Sequence, residues 1–216
     1  MKITILGSTG FVGKVLIKKA IAAGYQVKTL ARNPEKLEEI RDKITIIKGS
    51  VFESSSVEDS IEGAEVVLST IGPPQNNPGD PAQYEKAMKN IVSAMDKYGI
   101  KRYIHIGGAA HQGGENEDWD FKRKFLRLFL NLFGKQILVA KHLEWEVLKS
   151  SDLDWTLVRP PRIVNEATSG TISADERTLK SLKINVGDLT DFILQQITSK
   201  EWIRKAPLVS SSGKMA

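Results

Sequence analysis

Three glycines near the start of the chain stand at the spacing of a phosphate-binding turn. They form a G-x-x-G-x-x-G pattern between a β-branched run at 2–6 and a helical pattern at 11–23. The first glycine permits a sharp turn, the second lets a phosphate approach the backbone, and the third lets the helix pack against the strand. The N–H groups at the start of that helix favour a pyrophosphate. The pattern predicts a dinucleotide site at Gly7, Ser8, Thr9, Gly10, Phe11, Val12 and Gly13.

The residues after the second predicted strand indicate which dinucleotide is bound. NAD sites usually place a carboxylate there, which bonds the ribose 2′-hydroxyl. Here the positions hold Arg32, Asn33 and Pro34, with Lys36 two residues further on. A guanidinium can bond a 2′-phosphate through two N–H groups, so we predict NADP(H) in preference to NAD(H). The alternative interpretation is that Arg32 and Lys36 are ordinary solvated side chains.

Strand and helix patterns alternate six times along the chain. Such alternation predicts an α/β fold with a doubly wound parallel sheet, a Rossmann architecture. We expect a single domain over 1–216, with a core at 1–163 and a small C-terminal region at 164–216. That region adds one helix at about 186–198 and a short strand at 206–209. The predicted strands lie at 2–6, 25–30, 43–47, 65–70, 101–106 and 154–158, and a short charged helix is predicted to begin at Pro34.

Composition limits the other possibilities. The chain has 216 residues, 41% of them hydrophobic and 26% charged, which fits one globular domain. It has no cysteine, which excludes disulfides, zinc–thiolate sites and thiol catalysis. Three scattered histidines form no recognisable metal site, so no metal is predicted. The first residues suit neither a signal peptide nor a membrane span, and a cytoplasmic protein without membrane contact is expected.

The chain resembles an atypical short-chain dehydrogenase/reductase. It is most similar to the group of biliverdin-IXβ and flavin reductases and bacterial NADH-flavin reductases, with NmrA-like proteins as relatives. The resemblance covers about 1–163 well, and 184–188 with its helix less closely. The motifs that carry it are Gly7–Gly13, Leu30–Pro34, Ser69–Gly72, Asn90–Met95, Arg102–Ile106 and Ser151–Pro161.

The resemblance implies that several strand ends contact the cofactor. Ser50 and Val51 would lie beside the adenine. The segment Ser69, Thr70, Ile71 and Gly72 would pass the adenosine ribose and the pyrophosphate. Gly107 and Gly108 would approach the nicotinamide, and its carboxamide would face Pro160, Pro161, Arg162 and Ile163.

The tyrosine–lysine pair of typical members is missing. That pair is Tyr-x-x-x-Lys, in which the lysine helps the phenol to exchange a proton with a carbonyl. None of the four tyrosines is followed by a lysine at that spacing. By alignment Ile137 takes the tyrosine position and Lys141 the lysine position, while the serine position falls on Gly107 and Gly108. Lys141 is therefore either a ligand of the nicotinamide ribose or a solvated helix lysine.

The sequence leaves the roles of His111 and of the segment 119–133 undecided. His111, after the fifth strand, is a candidate proton donor, whereas His105 lies within the strand and should be packed. The segment 119–133 places aromatic residues about four apart among basic ones. It is either an amphipathic core helix or a lid or subunit contact. Nucleic-acid binding is not favoured, because no recognised module accompanies the basic residues.

Three classes of function fit these residues. The first is an NADPH-dependent oxidoreductase that transfers a hydride to a flavin, a quinone or a similar conjugated acceptor, which needs no protein acid. The second is a non-catalytic NADP(H)-binding regulator of the NmrA-like type. A third possibility is an assembly protein that keeps the nucleotide as a structural ligand.

Overall fold

A six-stranded parallel sheet forms the centre of the fold. The structure, a computed structural model, describes residues 1–72, 79–110, 121, 124, 128, 135–166, 168 and 170–211. The strands are β1 (Lys2–Leu6), β2 (Gln26–Ala31), β3 (Ile44–Lys48), β4 (Val66–Ser69), β5 (Arg102–Ile106) and β6 (Asp154–Val158). Their order is β3-β2-β1-β4-β5-β6, and every neighbouring pair is parallel. The winding reverses between β1 and β4, and the predicted doubly wound α/β fold is confirmed.

Helices connect these strands, and a further helix follows the sheet. They are α1 (Phe11–Ala22), α2 (Ser54–Ile61), α3 (Pro81–Lys97), α4 (Lys135–Lys149) and α5 (Val186–Gln195). The helix predicted after Pro34 is instead a 3₁₀ segment over Pro34–Lys43, with a kink at Leu37, its one buried residue. Such a polar segment buries too little apolar surface to hold a regular helix. No helix among the described residues has the length and apolar character needed to cross a bilayer.

Apolar side chains alternate between the two faces of the sheet. Ile3, Ile5 and Ile104 pack on one face, where α1 and α5 cover them. Val67, Tyr103 and Leu157 lie in the core of the opposite face, which α2, α3 and α4 cover. Both faces of a parallel sheet are buried by its crossover helices, so the strands read as nearly continuous apolar runs. The sheet is thereby rigid, and its carboxyl edge can hold a site.

The C-terminal region contains more strands than the sequence predicts. The additional elements are β7 (Arg162–Val164), β8 (Ile172–Asp175) and β9 (Lys183–Asn185), followed by β10 (Leu208–Ser211). β8 pairs with β10 in antiparallel fashion, and β7 pairs with β9 in parallel. Fully buried Arg159 donates from Nε to the carbonyl oxygen of Ala206 over 2.7 Å, which ties the end of β6 to this region. The division of the chain at residue 163 stays a prediction.

Candidate functional site

The glycine loop joins β1 to α1 as a tight turn. Gly7 has a φ of +85°, in the left-handed region that favours glycine, and the N–H of Gly10 donates to its carbonyl oxygen over 3.0 Å. Gly10 is the N-cap of α1, where no side chain caps the helix. The first N–H groups of a helix lack intrahelical acceptors. The turn therefore offers backbone donors to an anion.

Gly13 has no room for a side chain. A β-carbon there would lie 2.1 Å from the carbonyl oxygen of Gly7 and 2.7 Å from Cα of Ser8. At Gly10 a β-carbon would lie 3.3 Å from the same oxygen, so this position tolerates a methyl group after a small shift. Packing thus requires glycine at the third position, whereas open access to the backbone explains it at the second. This cradle fits a pyrophosphate group.

Hydroxyl groups of Thr29 and Thr70 hold the glycine loop against the end of β1. The Thr29 and Ser8 hydroxyl oxygens lie 2.6 Å apart, and the Thr29 hydroxyl donates to the carbonyl oxygen of Ile5 over 2.6 Å. The Thr70 hydroxyl lies 3.1 Å from the carbonyl oxygen of Gly7. Since the Ser8 side chain is fully buried, we expect Ser8 to contact a cofactor through its backbone.

Arg32 lies beside this loop. In the register of the sheet Leu30 pairs with Leu6, so the residues that follow β2 stand level with those that follow β1. Arg32, Asn33 and Lys36 are all exposed at this edge. Burial and the charge of Glu144 raise the pKa of the Tyr84 phenol, and Arg32 opposes that rise, so the guanidinium lies near this ring. A guanidinium with this exposure is available to a phosphate.

The sheet brings the other predicted contact segments to the same edge. Ser69 is level with Leu6 on one side and with His105 on the other, and Ile106 is level with Val158. Ser69–Gly72, Gly107, Gly108, Pro160 and Pro161 therefore lie at the ends of neighbouring strands. Ser50 and Val51 follow β3, while Arg162 and Ile163 belong to β7. Apart from Arg162 and Ile163, the predicted residues thus follow strands on both sides of the switch point between β1 and β4, and such sheets bind ligands at this edge.

Lys141 reaches this edge from α4. Its Nζ lies 2.7 Å from Oε2 of Glu144 and 3.4 Å from the carbonyl oxygens of Ile71 and Ile106. The side chain is only 11% exposed. A β-carbon on Gly72 would lie 3.2 Å from the same nitrogen, so the ammonium group lies directly beneath that glycine. Lys141 is therefore not the solvated helix lysine of the alternative interpretation.

Behind Lys141 lies a buried polar chain that the sequence did not reveal. Nε2 of His105 lies 3.2 Å from Oε2 of Glu144, and the Tyr103 hydroxyl lies 3.4 Å from Nδ1 of His105. All three residues are at least 97% buried. The sequence predicts that His105 is packed, but it does not predict the contacts of the imidazole with Glu144 and Tyr103. Glu144 stands three residues after Lys141 on one helix, a spacing that allows an ion pair and was the available signal.

Burial and charge set the protonation states in this chain. Burial lowers the pKa of His105 more than Glu144 raises it, so the imidazole is neutral near pH 7. Burial also raises the pKa of Tyr103, which keeps its phenol proton. For Glu144, burial would raise the pKa, but Lys141 and the hydrogen bond from His105 together outweigh it and hold the pKa below its usual value. The carboxyl group is therefore ionised next to the ammonium group.

Some predicted features fall outside the described residues. His111 is one of them, so its candidate role as a proton donor stays a prediction. Within 119–133 the structure describes Phe121, Lys124 and Leu128, all of them exposed. Among the described residues no group of three acidic or histidine side chains lies close enough to hold a metal ion.

The strand order and the glycine turn at the switch point define a dinucleotide-binding α/β protein. The chain belongs to the NAD(P)H-binding family, whose family model matches residues 7–200. It is 22% identical over 228 residues to divinyl chlorophyllide a 8-vinyl-reductase of Arabidopsis thaliana, covering 99% of this chain and 54% of that protein. The chain spans a little over half the length of this relative and of the cinnamoyl-CoA reductase it also matches.

Solved structures share the fold over the whole chain. The anaerobillin reductase ChuY from Escherichia coli O157:H7 has a TM-score of 0.81 at 18% identity, covering 100% of both chains. A short-chain dehydrogenase/reductase from Veillonella parvula in complex with NADP has a TM-score of 0.81 at 17% identity. That match covers 100% of this chain and 96% of the other. These neighbours establish the architecture.

Proposed function

We propose that this chain is an NADPH-dependent oxidoreductase that reduces a flavin, a quinone or a similar conjugated acceptor. The observation that carries the proposal is the position of Lys141. Its ammonium group is held at the carboxyl ends of β4 and β5, while Ile137 stands where a catalytic tyrosine would precede it. The site thus retains the cofactor-binding member of the usual pair without the proton donor.

Each part of the cofactor has proposed partners at this edge. Backbone groups of Gly7–Gly13 would bind the pyrophosphate, and Lys141 would bind the hydroxyl groups of the nicotinamide ribose. Ser50 and Val51 would lie beside the adenine. A bound nicotinamide would supply the hydride. The remaining contacts would come from Ser69, Thr70, Ile71, Gly72, Gly107, Gly108, Pro160, Pro161, Arg162 and Ile163.

The preference for NADPH is proposed on the charge beside the adenosine end. Arg32 is exposed after β2, with Asn33 and Lys36 close in sequence, and positions 32–34 directly after the strand hold no carboxylate. A 2′-phosphate would gain a charge-assisted bond from Arg32, whereas the 2′-hydroxyl of NADH would gain little. The structural neighbour that holds NADP supports the same choice.

The acceptor class follows from what the site would have to supply. A carbonyl needs a proton as the hydride arrives, and a positioned tyrosine usually provides it. A flavin or quinone takes up the electrons in its own conjugated system and can obtain protons from solvent. The protein then need only stack the acceptor and exclude water. Two similar proteins are a chlorophyllide vinyl-reductase and an anaerobillin reductase, which supports adding a bilin to the acceptors tested.

The test is NADPH oxidation in the presence of FMN, riboflavin, a quinone series and a bilin, with NADH in parallel. Turnover well above the rate without protein would support the reductase. Tight NADPH binding without turnover on any acceptor would instead favour a regulator of the NmrA-like type. Failure to bind either nucleotide would show that the glycine turn does not serve a dinucleotide.

A further inference from the structure

A single carboxylate oxygen holds both Lys141 and His105. Oε2 of Glu144 lies 2.7 Å from Nζ of Lys141 and 3.2 Å from Nε2 of His105. We propose that Glu144 is the positioning residue of this site: braced by His105, it fixes the Lys141 ammonium group for the nicotinamide half of the cofactor. The inference rests on the proposed function, because it needs a cofactor at this edge.

Lys141 needs such a partner to have a defined position. A lysine side chain carries its charge on a flexible four-carbon stem, and ordering that stem costs conformational entropy. The backbone carbonyls of Ile71 and Ile106 lie at 3.4 Å, beyond the usual range of a strong hydrogen bond. The bond to Glu144 is the short and charge-assisted one. Glu144 therefore dominates the placement of the ammonium group.

His105 in turn fixes Glu144. An ionised carboxylate can only accept, so the neutral imidazole must carry its proton on Nε2, which faces Glu144 at 3.2 Å. Nδ1 is then left as an acceptor, and the Tyr103 hydroxyl lies 3.4 Å from it, at the long end of the hydrogen-bond range. Tyr103 and His105 stand on β5, an inner strand between β4 and β6, whereas Glu144 stands on α4. The Glu144 carboxylate is thereby held between His105 of the rigid strand β5 and Lys141 of its own helix.

This arrangement predicts that substitution of Glu144 weakens binding of the nicotinamide half of the cofactor and leaves binding of the adenosine half unchanged. Adenosine 2′,5′-bisphosphate contains the end that Arg32 would bind and lacks the nicotinamide ribose. A residue that acts through Lys141 should matter for NADPH and be irrelevant to this fragment. Substitution of a residue needed merely for folding would weaken the binding of both ligands. The two ligands therefore separate positioning from structural support.

The experiment titrates both ligands into wild-type protein, Lys141→Met, Glu144→Gln and the double variant. We expect Lys141→Met and Glu144→Gln each to weaken NADPH binding about five- to tenfold, with fragment binding unchanged. The double variant should bind NADPH no more weakly than Lys141→Met, since the two residues act as one unit. Glu146→Gln, an exposed carboxylate on the same helix, is the matched control and should bind like wild type.

Several outcomes would overturn the inference. They are wild-type NADPH affinity in Glu144→Gln, equal losses for both ligands, or independent losses that add in the double variant. If Glu144→Gln does not fold, Glu144→Asp replaces it, because it keeps the charge and withdraws it from Lys141. The same selective loss would then support the proposal, and its absence would reject it. Wild-type protein that binds neither ligand would instead reject the proposed function itself.

Discussion

A β-carbon at Gly13 would lie 2.1 Å from the carbonyl oxygen of Gly7, so the start of α1 and the end of β1 are in direct backbone contact. This contact sets the position of the helix N-terminus relative to the sheet. Gly10, between them, faces a weaker restriction, with 3.3 Å to the same oxygen. The two glycines therefore differ in purpose, one for packing and one for access.

Alanine substitutions should separate these purposes. Gly13→Ala should lower the free energy of unfolding by about 1–3 kcal/mol, because the methyl group forces the backbone apart. Gly10→Ala should leave the melting temperature nearly unchanged and weaken NADPH binding about tenfold or more, since the methyl group stands in the path of the phosphate. Thermal unfolding and NADPH titration of both variants test this. Equal effects of the two substitutions on stability would contradict the assignment.

The hydrogen bonds of the Thr29 hydroxyl next to the glycine loop should contribute to stability. Thr29→Val keeps the shape but removes the bonds to Ile5 and Ser8, so a buried carbonyl and hydroxyl lose a partner. We expect the free energy of unfolding to fall by about 1–3 kcal/mol in urea titration. Thr45→Val, at an exposed position on the neighbouring strand, should change it by less than about 0.5 kcal/mol. Similar values for the two variants would show that the Thr29 hydroxyl is not a structural bond.

Arg32 should distinguish the two nicotinamide cofactors. Arg32→Ala should weaken NADPH binding about ten- to hundredfold, the equivalent of about 1.5–3 kcal/mol for a charge-assisted bond, and leave NADH binding nearly unchanged. Arg41→Ala is the control, since Arg41 is an exposed arginine in the 3₁₀ segment that follows Arg32, where it pairs with Glu38. Isothermal titration with both cofactors measures the difference. Equal losses for NADPH and NADH would reject the role of Arg32.

His105 should make stability depend on pH. Burial lowers its pKa in the folded state, whereas the unfolded chain titrates near 6.5. Below that pH the unfolded chain takes up a proton that the folded state refuses. The free energy of unfolding should therefore fall by up to about 1.4 kcal/mol per pH unit as the pH drops below 6.5, and stay level above it. Glu144, whose pKa is also lowered, reduces stability only as the pH falls below about 4.5.

Urea titrations of wild type and His105→Gln between about pH 5 and 6.5 check this dependence. The variant lacks the imidazole, so its slope with pH should be smaller than that of wild type. The exposed His142→Gln variant serves as the control for removing a histidine from the protein. Parallel slopes for wild type and His105→Gln would contradict a buried neutral imidazole.

The sheet could be predicted from sequence because its signal is periodic. Apolar β-branched runs alternate with helical patterns, and the parallel crossover rule leaves few arrangements for them. The elements that were missed carry no such signal. β7, β8 and β9 have three or four residues each, and they form by pairing with distant segments. The sequence predicts a helix in place of the 3₁₀ segment, because the charged residues there resemble a solvated helical face.

The site could be predicted in part for a similar reason. The glycine turn and Arg32 are local features, fixed by a few neighbouring residues. The partnership of Lys141 with Glu144 and His105 is not local, because β5 and α4 must first pack together. A glutamate three residues after a lysine is common on solvated helices, so spacing alone could not distinguish a buried ion pair from an exposed one. Burial decides that question, and it is a property of the fold.

The central claim is tested most directly by a single turnover with the wild-type protein. NADPH deuterated at the transferring position is compared with ordinary NADPH, in the presence of the best acceptor from the flavin, quinone and bilin series. The account predicts oxidation well above the rate without protein, and slower oxidation of the deuterated cofactor, because a hydride is transferred within the site. Oxidation at the uncatalysed rate with every acceptor, despite bound NADPH, would contradict it.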